Sequence, residues 1–268
     1  MGISFDSRPN YPDRRAEFTR GVPRLLLDMT DVTPEQTRVL VVTAHPDDVD
    51  YGVAGSIARW TAEGIEVAYC IVTDGDAGGS DPSITRAEMA AQRREEQLKA
   101  ASVVGVRQVE FLGYPDGRLT VSLELRRDIS RVIRQFRPTR VITQNPIRDL
   151  RSMYGSHPDH TATGEATFCA VYPDARNEFA HPELVAAEGL APHTVSEIWM
   201  LAPGGGDVTV DITDTFDRKM AALWAHVSQT AHLTDLEDRM RAWATAQAAA
   251  GNLPAGRLGE SFVVLDTR

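Results

Sequence analysis

Two hydrophobic patterns alternate along this chain. Short continuous runs rich in β-branched residues, such as Val39–Val42, predict buried strands, and longer segments with apolar residues at helical spacing predict helices between them. The predicted strands are Val39–Thr43, Val67–Thr73, Gln108–Leu112, Arg140–Thr143, Glu197–Leu201, Val208–Asp211 and Phe262–Leu265. The predicted helices are Gly55–Ala62, Ala87–Val104, Leu123–Phe136, Thr161–Val171 and Phe216–Gln229.

This alternation predicts an α/β fold of Rossmann-like type, with a mostly parallel sheet flanked by helices. Ligands bind such sheets beyond the carboxyl ends of the strands, which is where we expect the active site. Polar residues fill four loops that each follow a predicted strand, so these loops should meet at one edge of the sheet. The loops are residues 45–48, 74–81, 113–117 and 144–160.

Residues 1–37 are polar and interrupted by proline, and they predict an N-terminal extension with a helix around Arg14–Met29. Residues 38–268 should then form a single domain. Because no apolar run reaches 18 residues, we expect no membrane span, and because the N-terminus lacks the order of a secretory signal, we expect a cytoplasmic protein. Cys70 and Cys169 lie in apolar settings, which favours buried thiols over a disulfide.

Composition narrows the class of partner. The formal net charge is −10, which argues against nucleic acid, because phosphate binding requires clustered lysine and arginine. Hydrophobic residues make up 42% of the chain, enough for an ordinary globular core. A homo-oligomer, with the N-terminal arm as a subunit contact, is compatible with the sequence.

The first chemistry-bearing cluster is His45-Pro46-Asp47-Asp48, directly after the first strand. His45 and Asp48 are three residues apart in a turn that enters a helix, a spacing that puts both on one side for a metal ion. Asp47 then points elsewhere and is free for proton transfer. The structural alternative is that Asp47 and Asp48 only cap the helix, a frequent use of aspartate.

A second cluster, His157-Pro158-Asp159-His160, follows the fourth strand. His157 and His160 are also three residues apart, so either can complete a His-Asp-His ligand set while the other faces the substrate. Coincidence would be needed to bring these residues to the ends of strands for structural reasons alone. The two clusters together therefore favour a hydrolytic metal site.

These motifs resemble those of the LmbE-like or PIG-L de-N-acetylase family. That family contains N-acetylglucosaminyl deacetylases of glycolipid, mycothiol and antibiotic pathways, and the mycothiol-conjugate amidases. The resemblance extends over residues 38–230. Its weaker matches are Thr73-Asp74-Gly75, Arg93 with Glu96, Phe111–Gly117 and Lys219–Gln229.

The resemblance implies that His45, Asp48 and His160 bind Zn²⁺, although another divalent ion such as Fe²⁺ is an alternative. It implies that Asp47 is the general base and that His157 is the general acid or stabilises the oxyanion.

For the substrate, the resemblance implies that Arg93 and Asp116 hold sugar hydroxyls, and that Asp159 orients His157 at the substrate-binding side. One departure is Val49, which stands where the family usually has glutamate, with Asp50 following. Support of the metal from this position is therefore open. Two other features have alternatives: His226 either lines the pocket or packs on a helix face, and residues 75–79 form either a lid or a surface turn.

The predicted function is zinc-dependent hydrolysis of the N-acetyl group from a small N-acetylglucosamine-type conjugate. A mycothiol S-conjugate amidase is the alternative. His45-Pro46-Asp47 with a later histidine also fits the ligand pattern of non-haem iron oxygenases, but those sites usually lie in all-β barrels. A carbohydrate-binding protein without catalysis is the remaining, non-enzymatic alternative.

Overall fold

The structure is a computed structural model that describes residues 37–79, 81–148, 153 and 156–268. Within these residues seven strands form one sheet. The strands are β1 (Arg38–Thr43), β2 (Glu66–Thr73), β3 (Gln108–Tyr114), β4 (Arg140–Thr143), β5 (Glu197–Leu201), β6 (Val208–Asp211) and β7 (Gly259–Asp266).

The strand order is β3-β2-β1-β4-β5-β7-β6, and β1 to β5 all run parallel. β7 is antiparallel to both of its neighbours, β5 and β6. The predicted Rossmann-like α/β fold with a mostly parallel sheet is confirmed. The order reverses between β1 and β4, and such a switch point is where open α/β sheets bind ligands.

Helices cover both faces of the sheet. Leu40 and Val42 of β1 pack on one layer, and Val39 and Val41 pack on the other, which explains why this strand is apolar without interruption. The helices in the described part of the chain are α1 (Asp48–Ala62), α2 (Arg86–Val103), α3 (Leu123–Phe136), α4 (Pro158–Cys169), α5 (Pro182–Ala186), α6 (Phe216–Trp224), α7 (Val227–Thr230) and α8 (Leu236–Ala250).

The helices differ from the predictions in three respects. α1 begins at Asp48 rather than Gly55, because its first turn carries the polar residues of the site instead of an apolar stripe. The helix predicted over Phe216–Gln229 is two helices, α6 and α7, separated at Ala225 and His226. α5 and α8 are not predicted: α5 has only five residues, and alanine dominates the second half of α8, which weakens the periodic signal.

Several sequence expectations concern the ends and surface of the chain. The predicted extension and its helix at Arg14–Met29 lie outside the described residues, apart from Thr37, and stay predictions. Both cysteines are free thiols; Cys70 is buried as predicted, whereas Cys169 is only partly buried. No helix among the described residues combines the length and apolar character that crossing a bilayer requires.

A buried ion pair ties the first helix to the last strand. Lys219 Nζ lies 2.7 Å from Glu260 Oε1 and also donates to the carbonyl oxygen of Tyr51 at 2.7 Å. The Glu260 carboxylate accepts the backbone N–H groups of Gly55 and Ser56 in α1. Lys219 and Glu260 are 3% and 2% exposed, so neither charge has solvent as an alternative partner.

Replacing Lys219 with methionine should strongly destabilise the fold. Lys219→Met keeps the length of the side chain but leaves the Glu260 carboxylate buried without its cation, at a cost of about 3–5 kcal/mol in the free energy of unfolding. The measurement is urea denaturation of the purified protein. Lys99→Met is the matched control, because Lys99 pairs with Glu95 at 2.8 Å on the exposed face of α2. Equal losses of stability in the two variants would contradict this account.

Candidate metal centre

The turn between β1 and α1 separates two adjacent aspartates. Asp47 has φ 91°, in the left-handed region that non-glycine residues seldom adopt, and its carbonyl oxygen accepts the N–H groups of Asp50 and Tyr51 to start the helix. Because of this reversal, the Asp48 carboxylate faces His45 and the Asp47 carboxylate faces another direction. The predicted division of the pair is the arrangement found in the structure.

Three donor groups converge beside this turn. His45 Nδ1 lies 3.3 Å from His160 Nε2 and 3.3 Å from Asp48 Oδ2, and His160 Nε2 lies 3.1 Å from Asp48 Oδ1. Zinc bonds of about 2.0–2.1 Å at tetrahedral angles separate ligand atoms by roughly 3.3–3.4 Å. The spacing of His45, Asp48 and His160 is therefore compatible with a bound metal ion, with Asp48 approaching the two histidines through different oxygens. His157 also lies near this group, with its ring centroid 4.9 Å from that of His45.

A glutamine that the sequence analysis does not single out holds Asp48 in place. Gln144 Nε2 donates to Asp48 Oδ2 at 3.0 Å, and Gln144 Oε1 accepts the N–H of Ala44 at 3.0 Å. The N–H of His45 donates to the same Asp48 oxygen at 2.7 Å. Gln144 directly follows β4, so its position at the carboxyl end of a strand next to β1 is the signal that could have found it.

The other ring nitrogen of His45 faces two buried carboxylates. His45 Nε2 lies 3.0 Å from Asp116 Oδ1 and 3.3 Å from Asp159 Oδ2. Carboxylates placed behind a metal-binding histidine fix its tautomer and orientation and strengthen it as a ligand. His45 thus belongs to two groups of possible metal ligands, one with His157 and His160 and one with Asp116 and Asp159.

The prediction for Asp159 needs correction. Its side chain is fully buried, and its two oxygens accept the N–H groups of Gly117 and Leu119 at 2.7 and 3.2 Å. A carboxylate sealed in this way cannot contact a substrate, and its partner is the ring of His45 rather than that of His157. His45 and Asp159 are 114 residues apart in the chain, and no sequence pattern indicates that they pair.

Electrostatics follow from the crowding of acids around His45. Burial lowers the pKa of His45, but hydrogen bonds with Asp116, Asp159 and Asp48 outweigh burial and raise it to about 12. Burial would raise the pKa of Asp48, but His160 and His45 hold it well below its usual range. The centre therefore concentrates negative charge that a cation can balance.

Asp47 lies beside the donor group with an arginine as its partner. Arg93 Nη2 donates to Asp47 Oδ2 at 3.0 Å and to the Pro46 carbonyl oxygen at 2.6 Å, while Arg93 Nη1 donates to the Gly75 carbonyl oxygen at 3.0 Å. Burial raises the pKa of Asp47 to about 6, against the opposing charge of Arg93. Such a carboxylate can take and hold a proton near neutral pH.

The substrate roles predicted for Arg93 and Asp116 stay predictions. Both side chains are nearly buried, at 3% and 8% exposure, and both already have protein partners. Asp116 Oδ2 accepts the N–H of Ala77 at 3.2 Å, so this residue also fixes the loop after β2. What the structure adds is that both contact site residues directly, Asp47 in one case and His45 in the other.

His157 places an N–H group beside the candidate metal ligands His45, Asp48 and His160. Its Nδ1 accepts the backbone N–H of Asp159 at 3.2 Å, so in the neutral ring the proton sits on Nε2. Burial lowers the pKa of His157, and the neighbouring His45 and His160 lower it further. A neutral imidazole that donates from Nε2 is the form this geometry favours.

Close approach of α4 depends on a glycine. A Cβ at Gly164 would collide with the carbonyl oxygen of Gln144 and come within 2.9 Å of the Pro146 nitrogen. The missing side chain lets α4, which carries His157 and His160, lie against the loop that holds Gln144. The four loops expected at one edge of the sheet do meet there, through contacts such as Gly117 to Asp159 and Gln144 to Asp48.

One of the two open alternatives is resolved by contacts. His226 is fully buried with Nε2 2.8 Å from Asp50 Oδ2, so it does not line a pocket. In the loop of residues 75–79, Gln229 Nε2 donates to the Gly78 carbonyl oxygen at 2.9 Å, and the choice between a lid and a surface turn stays a prediction. Val49 is buried in the core, which leaves Asp50 as the carboxylate of this turn that points inward.

Comparison with known proteins identifies the family. Residues 40–171 match the profile of PIG-L, GlcNAc-PI de-N-acetylase. Diacetylchitobiose deacetylase of Thermococcus kodakarensis is 33% identical over 192 residues, covering 72% of this chain and 70% of the relative. The chain belongs to the PIG-L family. A Bacillus anthracis protein named probable N-acetyl-alpha-D-glucosaminyl L-malate deacetylase 2 is also 33% identical, over 73% of this chain and 83% of that protein.

A solved structure is similar over a larger share of the chain than the family profile covers. N,N'-diacetylchitobiose deacetylase from Pyrococcus horikoshii superposes with a TM-score of 0.78 at 30% identity, covering 86% of this chain and 84% of that one. Members of the PIG-L family depend on a metal, and the donor atoms described above supply a site for it.

Removing the amide of Gln144 should weaken metal binding. Gln144→Ala leaves the Asp48 carboxylate with the His45 N–H but without its side-chain donor, and loss of such a supporting hydrogen bond typically lowers metal affinity about 10- to 100-fold. Competition with a chromogenic chelator measures the affinity. Asn145→Ala is the matched control, because Asn145 lies in the same loop and, among the residues that the structure describes, its side chain accepts the N–H of Ile147 rather than contacting Asp48. Unchanged zinc affinity in Gln144→Ala would contradict the role assigned to Gln144.

Proposed function

We propose that this protein is a zinc-dependent de-N-acetylase that hydrolyses the acetamide of an N-acetylglucosamine-type conjugate. The observation that carries the proposal is the convergence of His45, Asp48 and His160 with ligand-like spacing, next to Asp47 as an available base. Family membership supports the reaction type. The geometry does not favour the iron oxygenase alternative. In that His-x-Asp pattern Asp47 would be a metal ligand, but its carboxylate contacts Arg93 instead of His45 or His160.

Zinc at this site would supply a Lewis acid that polarises a carbonyl group and eases the ionisation of water. Side chains of the protein supply the proton transfers and the positioning. Asp47 accepts a proton from the attacking water, and Arg93 keeps its carboxylate in one orientation. Because burial raises the pKa of Asp47 to about 6, the carboxylate is ionised at neutral pH and yet basic enough to take that proton.

In this proposal His157 stabilises the negative charge that develops on the substrate. Attack on the acetamide carbon forms a carbon–oxygen bond and places charge on the former carbonyl oxygen, to which the Nε2 proton of His157 can donate. Breaking the carbon–nitrogen bond then requires a proton on the leaving nitrogen, which Asp47 returns. The products are acetate and a free amino sugar, with one water consumed.

The substrate class follows from what the named relatives share. They are called deacetylases of diacetylchitobiose, of an N-acetylglucosaminyl malate and of an inositol 2-acetamido-2-deoxyglucopyranoside. The common unit in these names is N-acetylglucosamine, whereas the attached group differs. We therefore propose a small N-acetylglucosamine conjugate and leave the attached group to experiment. The cytoplasmic location and the homo-oligomer also stay predictions.

The test of the function is acetate release by the zinc-loaded protein. Diacetylchitobiose, N-acetylglucosaminyl malate, N-acetylglucosaminyl inositol and a mycothiol S-conjugate form the substrate panel. We expect acetate from at least one N-acetylglucosamine compound, loss of that activity after treatment with EDTA, and its return with zinc. Release of a free amine from the mycothiol conjugate alone, with no acetate from any compound, would establish the amidase alternative, and no hydrolysis of any compound would contradict the proposal.

Asp47→Asn should separate catalysis from metal binding. The amide keeps the shape of the side chain but cannot accept the proton, so kcat should fall by roughly 10²- to 10⁴-fold. Zinc content, measured by plasma mass spectrometry, should stay at that of the wild type, since Asp47 is not among the proposed ligands. Asp48→Asn serves as the comparison and should lose zinc. Turnover near that of the wild type in Asp47→Asn would remove Asp47 from the role of base.

A further inference from the structure

We propose that His226, Asp50 and Gln97 form a buried hydrogen-bond chain that positions Asp47. This inference rests on the proposed function, in which Asp47 is the base, and adds three positioning residues to it. One of them, His226, comes from the turn between α6 and α7, beyond the segment that matches the family profile.

The chain of bonds has a single polarity. His226 Nε2 and Gln97 Nε2 both donate to Asp50 Oδ2, at 2.8 and 3.0 Å, and Gln97 Oε1 accepts the backbone N–H of Asp47 at 2.9 Å. A carboxylate only accepts and a backbone N–H only donates, so both ends fix which way the Gln97 amide points. The orientation of Gln97 is therefore determined by Asp50, and that of Asp50 by His226.

The backbone of Asp47 needs this restraint. Its φ of 91° is unfavourable for a residue with a Cβ, and such a conformation persists only where the surroundings enforce it. Gln97 is the side chain that holds the Asp47 N–H, while Arg93, one turn earlier in α2, holds the carboxylate. Together the two contacts fix both the backbone and the side chain of the base.

The burial of these three polar side chains indicates that the hydrogen-bond chain has a role beyond packing. Asp50, Gln97 and His226 are all fully buried, and a buried charged pair stabilises a fold no better than apolar residues of similar size. α7 is already attached to α2 by another contact, in which Ser228 donates to Glu96 through both its N–H and its hydroxyl, at 2.9 and 2.6 Å. The Asp50–His226 pair is thus not the sole contact that docks α7 among the described residues.

The experiment compares four variants of the full-length protein. Gln97→Met and His226→Leu break the chain, and His226→Gln retains an N–H donor toward Asp50. Ser228→Ala is the matched control, because it weakens the contact between α2 and α7 without touching the chain. For each variant we measure kcat, KM, zinc content and the hydrogen exchange of the Asp47 amide by NMR.

We expect kcat to fall about 10- to 100-fold in Gln97→Met and His226→Leu, with KM and zinc content unchanged, since small misplacements of a catalytic group cost rates of this order. His226→Gln should recover most of the rate, and Ser228→Ala should keep it. The Asp47 amide should exchange faster in the two chain-breaking variants. If His226→Leu fails to fold, Gln97→Met, which removes both bonds with little change in shape, carries the test.

Either of two kinetic results would overturn the inference: kcat within twofold of the wild type in Gln97→Met, or an equal fall in Ser228→Ala. The amide exchange separates this inference from the proposed function, because it needs no substrate. Faster exchange at Asp47 in a protein that releases no acetate would leave the chain standing and reject the function. Unchanged exchange would reject the positioning role whatever the activity.

Discussion

The structure of the site depends on the two-sided use of the His45 ring. Nδ1 faces Asp48 and His160, and Nε2 faces Asp116 and Asp159, so one imidazole is surrounded by three carboxylates. Burying that much negative charge is costly unless a cation and hydrogen-bond donors balance it. The backbone N–H groups of Gly117 and Leu119 supply part of the compensation, and a metal ion on the Nδ1 side would supply the rest.

Topology explains why these groups can meet. β1 lies between β2 and β4 at the point where the strand order reverses, so the loops after all three strands, together with the loop after β3, open onto one edge of the sheet. The β1 loop brings His45 and Asp48, the β3 loop brings Asp116, and the segment after β4 brings His160. The turn at His226 lies outside this frame and reaches the site through Asp50 of α1 and Gln97 of α2.

The sequence predicts much of this frame, for reasons that can be named. Val39–Val42 is a strand because a continuous apolar run must be covered on both faces, and the spacing of His45 and Asp48 predicts that they share one side. The partner of the Asp159 side chain could not be predicted from the sequence. His157 lies two residues away in the chain, but the carboxylate contacts His45, which lies 114 residues away. The start of α1 was misplaced because its first turn is polar, which hides the helical pattern. Gln144 and Gln97 carry no chemical signature, so only their contacts reveal them.

The most direct test is the position of zinc in a crystal of the wild-type protein, located by anomalous scattering at the zinc absorption edge. The account predicts one strong peak at bonding distance, about 2.0–2.2 Å, from His45 Nδ1, His160 Nε2 and an Asp48 oxygen. A peak bound instead by His45 Nε2 with Asp116 and Asp159, or no peak in protein crystallised with excess zinc, would contradict it.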